Sequence, residues 1–239
     1  SGSVFVYRLI GGQWVFERKI VAPDGSGGDK FGSSADLLNG ILVVGAPGND
    51  SVASLSGAAY LFDVGSGQFL RKLVSRDASN YDGFGSVLDL YEDKVFVGVA
   101  GWDSIEGGLS AGAVYVFRTQ TGEQLERIES PGSQFGVGEA FGVSIAIQNG
   151  LMLVGAPEYT SFEDDLSGLG AVYAYRISGD SIIPEGRILS EDGRRSDWFG
   201  TSIKMHGGRA LIGAPQPSRF GSGVGKAYLL DLETRSFVG

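Results

Sequence analysis

The side chains able to do chemistry in this chain are few. It has one histidine and no cysteine, so disulfides, thiolate catalysis and cysteine-zinc sites are absent together. Nucleophilic catalysis usually needs a base beside an activated hydroxyl. His206, the lone histidine, stands in the turn Met205-His206-Gly207-Gly208, with no serine-nucleophile elbow, phosphate-cradling loop or dinucleotide fingerprint in a strand-to-helix setting elsewhere. Carboxylates are what remain. Glu163, Asp164 and Asp165, together with Asp50 or Asp103, form the set that would hold calcium with the help of backbone carbonyls; a solvated acidic loop is the plainer reading, and no cofactor is expected. Two acids facing each other across a surface would also serve glycoside hydrolysis. Aromatics beside charges mark recognition surfaces, and here they are Trp102 and Asp103, Tyr159, Phe162 with Asp164 and Asp165, Trp198, and Arg219 with Phe220. Each of these aromatics meets a ligand, folds back over the rim or plugs the channel mouth, or has no role.

The composition restricts the partners. Nineteen basic and 28 acidic side chains give a net charge of −9, which repels a phosphate backbone, so no nucleic-acid partner is expected. No apolar run approaches the roughly 20 residues that cross a bilayer, and membrane insertion is not expected. The chain opens on Ser1, which reads as a processed product or an excised piece. Glycine accounts for 40 of 239 residues, well above the usual ~7%, yet without the three-residue period of collagen.

The glycines belong to a repeat. Phe-Gly recurs at Phe31, Phe84, Phe141 and Phe199, each followed by an apolar run ending in Gly45-Ala46-Pro47, Gly98-Val99-Ala100, Gly155-Ala156-Pro157 or Gly213-Ala214-Pro215. A third landmark follows as GAAYLF from Gly57, GAVYVF from Gly112, GAVYAY from Gly170 and GKAYLL from Gly225, with GSVFVY from Gly2 as a fifth copy. Apolar residues recur at period two between turn residues, so each repeat reads as four short strands with no helix. Asn39-Gly40, Glu92-Asp93, Asn149-Gly150 and Gly207-Gly208 close the first hairpin of each. Aromatic pairs such as Tyr60 and Phe62, or Phe5 and Tyr7, place one face of strand three toward a core. An acid stands two before each Phe-Gly: Asp29, Asp82, Glu139 and Asp197. That recurrence predicts a repeated structural task, accepting backbone N–H groups in the link between repeats.

Four-stranded antiparallel units that can hide their two apolar faces only against neighbours predict an all-β fold, a β-propeller of about four and a half to five blades. The expected division of 1–239 is a half blade at 1–30, full blades at 31–83, 84–140 and 141–198, and a last blade at 199–239 with a truncated fourth strand. These landmarks closely resemble the FG-GAP repeat of integrin α-subunit propellers and of bacterial secreted proteins. The resemblance implies an extracellular or cell-surface location and a binding role in adhesion. The family's calcium loops between strands one and two are not carried over, because those turns are too short here.

Alternation along the strands puts the loops after strand two (47–56, 101–111, 157–169, 215–224) and the links after strand four (22–30, 75–83, 130–140, 190–198) at one end of every sheet. That end carries nearly all the non-repeating chain, and long loops on a rigid scaffold are where binding residues tend to lie. The leading expectation is therefore a non-enzymatic module that binds a protein or glycan ligand through this rim. The alternatives are an assembly module whose open blade faces join chains into a homo-oligomer, and a hydrolase working through rim carboxylates.

Overall fold

A computed structural model describes residues 1–101, 110–131, 138–161, 167–215 and 225–238, and among them every regular element is a β-strand. The chain falls into two compact units, residues 1–97 with 115–126 and residues 98–114 with 127–239.

The strands come in sequential antiparallel sheets. A hairpin pairs β1 (Val4–Ile10) with β2 (Gln13–Ile20). The first four-stranded sheet runs β3 (Ala35–Leu38), β4 (Ile41–Ala46), β5 (Ala58–Asp63), β6 (Phe69–Leu73). The second runs β7 (Val87–Tyr91), β8 (Lys94–Val99), β9 (Ala113–Arg118), β10 (Gln124–Glu129). The third runs β11 (Ser144–Gln148), β12 (Leu151–Ala156), β13 (Ala171–Ser178), β14 (Ser181–Ile188). The last has three strands, β15 (Ser202–His206), β16 (Arg209–Ala214) and β17 (Lys226–Asp231), beside which Phe237 makes a single bridge to Leu230. These are the blade-like antiparallel sheets that the repeat predicts, of two, four, four, four and three strands.

Sequence explains the local geometry. Asn39-Gly40, Asn149-Gly150 and Gly207-Gly208 have positive φ at both positions, the twist-matched turn of a two-residue hairpin. Strands three and four carry a register shift at one repeated place, between Val6 and Tyr7, Leu61 and Phe62, and Ala174 and Tyr175, as a β-bulge produces.

The Phe-Gly landmark lies just ahead of strand one and fills the core of each of the larger sheets. Phe31 meets Tyr60 and Phe62 edge-on with ring centroids 5.6 and 6.0 Å away; Phe84 does the same with Tyr115 and Phe117, and Phe141 with Tyr173 and Tyr175. Such tilted contacts add about 0.5–1.5 kcal/mol beyond area burial. In these sheets strands two and three are buried on both faces, as units with two apolar faces require. Phe5 and Tyr7 of the hairpin differ, since both are about half exposed.

Candidate functional site

The loop end of the sheets is built by a stitch that repeats along the chain. The residue before each phenylalanine (Lys30, Gly83, Ala140, Trp198) has φ between 51° and 66°, and the glycine after it has φ between 88° and 94°. The phenylalanine is thereby held between two left-handed residues, the second of which favours glycine. Its backbone bridges the opening glycine of the preceding strand three: Gly2 with Phe31, Gly57 with Phe84, Gly112 with Phe141, Gly170 with Phe199. A Cβ on those four glycines would lie 2.0–2.3 Å from the phenylalanine carbonyl oxygen. The Gly-Ala-Pro glycine has the same constraint from the following repeat. A Cβ on Gly45 would lie 1.8 Å from Gly85 O, and one on Gly155 would lie 2.0 Å from Gly200 O. Ser34 and Ser144 Oγ donate to those same two carbonyls at 2.7 Å.

Further hydrogen bonds lace each loop after strand two to the link that follows its sheet. Tyr81 N donates to Ser54 O at 2.8 Å, Ala140 N to Ser110 O at 3.1 Å, Ser196 N to Ser167 O at 2.9 Å and Trp198 N to Gly168 O at 3.1 Å. The acids before Phe-Gly hold the links from beneath and are all buried. Asp29, Asp82 and Asp197 accept the backbone N–H three residues earlier, from Ser26, Ser79 and Arg194, at 2.6–2.8 Å. Glu139 departs from the pattern: it accepts from Ser130 Oγ and, at 3.0 Å, from the Tyr173 hydroxyl. Burial pushes its carboxyl above the ordinary range, against the pull of those two bonds and Arg187.

A second set of acids lies five residues before the first. Asp24, Asp77 and Asp192 accept the hydroxyls of Tyr60, Tyr115 and Tyr228 at 2.8, 2.9 and 2.7 Å. Sequence reading passed over this set, although its fixed spacing from Asp29, Asp82 and Asp197 was there to find. Burial raises the Asp24 carboxyl, but donation from Lys72 and Tyr60 outweighs it and holds it below the usual value. For Asp192, bonds from Lys226 and then Tyr228 lower it.

Of the expected contact residues, Trp102, Asp103, Phe162, Asp164, Asp165, Arg219 and Phe220 lie outside the described residues, as does Glu163. Tyr159 takes the folded-back alternative. It is 9% exposed, with the Arg187 guanidinium over its ring at 4.4 Å from the centroid, and it braces the loop from within. Trp198 is half-buried. Its indole lies so close over Gly168 that a Cβ there would come within 3.1 Å of Nε1. Beside it opens a concavity of about 330 Å³ lined by Gly138, Glu158, Thr160, Ser167, Gly168, Ser196 and Trp198. Backbone, hydroxyls, one carboxylate and one indole edge face that space, a set suited to hydrogen-bonding recognition.

Asp50 Oδ1 accepts Leu55 N at 2.6 Å within its own loop. Among the described residues no group of three His, Asp or Glu side chains is arranged to hold a metal ion. His206 is exposed at the opposite, short-turn end of the last sheet, paired in register with Arg209.

The FG-GAP repeat family model matches residues 14–62, 68–117 and 184–230. Each matched segment starts in or just before strand four of one sheet and ends within strand three of the next, so it frames the stitched junction. No curated protein matches the chain.

Proposed function

The chain belongs to the FG-GAP repeat family, and from that premise we propose that it is a non-enzymatic extracellular or cell-surface interaction module that takes a protein or glycan ligand on the loop end of its sheets. The family membership supports a binding role in general. One observation supports the place: the repeated stitch fixes the backbone of the loop end while the residues set upon it do not repeat. Trp198 and the concavity beside Glu158, Thr160 and Ser167 are the described part of that surface. An indole edge flanked by hydroxyls and a carboxylate matches a ligand with alternating apolar and hydroxyl surface, such as a sugar or an exposed peptide turn.

The test is a screen of the chain on an array of glycans and an array of secreted and cell-surface proteins, repeated with Trp198→Ala and Glu158→Gln. A partner whose affinity falls at least about tenfold in Trp198→Ala, with little change in the melting temperature, supports the reading. A partner bound equally by both variants and the parent, or an absence of partners on both arrays, overturns it.

A further inference from the structure

The packing between successive sheets has a direction. Val4, Val6 and Ile20 of the hairpin share a core with Phe31, Tyr60 and Phe62 of the first sheet. Ala146, Leu153, Val172 and Ala174 of the third sheet share one with Phe199, Ile203, Ala210 and Ile212 of the last. In each case a face of aliphatic and small side chains receives a face carrying aromatics.

Among the described residues, two faces stand exposed without such a complement. On the hairpin, Phe5, Tyr7 and Leu9 stand across from Lys19, Phe16 and Trp14. Its five apolar members are 52–71% exposed, a contiguous patch of the kind that marks an interaction surface. On the last sheet, the rows Ser202–Gly213–Ala227 and Lys204–Leu211–Leu229 stand where the third sheet has Ser144–Gly155–Val172 and Ala146–Leu153–Ala174. That is the receiving face, and Leu211 upon it is 51% exposed.

We propose that a second copy of this chain supplies both complements, the aromatic hairpin face of one copy seating on the Lys204–Leu211–Leu229 face of the next, head to tail. The contact continues an interface that the chain already makes between its own sheets. Side-chain chemistry agrees with it. Lys204 and the neighbouring Arg209 bring cations to the rings of Tyr7, Trp14 and Phe16, and cation-on-ring contacts are favourable. Lys19 already lies over Phe5 at 5.7 Å from the centroid. Ser202 also stands in the register of Ser144, whose hydroxyl donates across a junction of this kind.

A head-to-tail contact uses a different patch on each partner, so it propagates and is blocked from either side. Sedimentation velocity from low micromolar concentration upward reads this. The parent's average mass should climb above the 25.1 kDa of one chain. Phe16→Asp alone and Leu211→Asp alone should stay at that mass, with association weakened about thirtyfold or more. Mixed in equal amounts, the two variants should form pairs and nothing larger, since each keeps one intact face. A parent that is monomeric throughout, a Leu211→Asp variant that assembles like the parent, or a mixture that stays monomeric would each overturn the proposal. Trp14→Asp tests the same hairpin face should Phe16→Asp fold poorly.

Discussion

The carboxylate of Glu139 accepts the hydroxyl of Tyr173 at 3.0 Å inside the protein. In the other repeats that tyrosine bonds an aspartate five residues further back, and here the corresponding sequence position is Gln134. Glu139 has thus taken over the tyrosine as well as its own link, reaching it with one more methylene than aspartate has.

This exchange has a pH signature. Burial raises the Glu139 carboxyl, so the folded chain holds its proton more tightly than the unfolded chain does. A group of this kind contributes stability below its ordinary value near 4.3, which is lost as pH rises through the folded value. Glu139→Gln keeps an acceptor for Ser130 and Tyr173 but has no proton to lose. Its melting temperature, measured against the parent from pH 4 to pH 8, should match near pH 4 and exceed the parent's increasingly toward neutral pH. A constant offset would show that ionisation is not involved.

Asp24 should behave in the opposite sense. Burial works to raise its carboxyl, but bonds from Lys72 and Tyr60 win and lower it, so its contribution is present above the ordinary value and fades as pH falls through the folded one. Tyr60→Phe removes one donor. Urea titration at neutral pH should show a loss of about 1 kcal/mol, and acid unfolding should begin at a higher pH than in the parent.

Glycine positions separate crowding from backbone strain. A Cβ on Gly45 would strike Gly85 O, whereas one on Gly40 meets nothing within 4 Å and suffers only from a φ of 83°. Gly40→Ala should cost about 1–2 kcal/mol. Gly45→Ala should cost more than about 3 kcal/mol or prevent folding, since a backbone carbonyl cannot swing aside as a side chain can. Equal losses in denaturant titration would contradict the close approach.

The aromatics divide in the same way. Phe84 is buried between Tyr115 and Phe117, and Phe84→Ala should cost about 3–5 kcal/mol. Trp14, the larger side chain, is 71% exposed, and in dilute protein Trp14→Ala should stay within about 0.5 kcal/mol of the parent. Calorimetric melts of the two variants would compare them directly.

How far the residue order could foretell this structure depends on what kind of contact a residue makes. Strands and hairpin turns were legible because alternation and pairs such as Asn39-Gly40 are local signals. The landmarks at Phe31 and Gly45 were legible as a repeat. That Gly45 answers to Gly85, forty residues on, was not legible, since no local pattern names a partner in the next repeat. Asp29 was singled out because it sits beside an obvious landmark. Asp24 escaped because its partner, the hydroxyl of Tyr60, is read as a core aromatic before it is read as a donor. For Tyr159 two readings stood open, because loop position alone does not reveal that Arg187 covers its ring. The loop-end residues are the least legible, because a surface that differs in every repeat gives repetition nothing to show.

The stitch from Gly57 to Phe84, and its counterparts at Gly112 and Gly170, also bears on how the protein comes apart. A sheet that opens releases the first turn of its successor, so the two cannot melt as independent bodies. Unfolding then follows nearest-neighbour cooperativity, and amide protons at each phenylalanine report the health of the repeat before it as much as of their own.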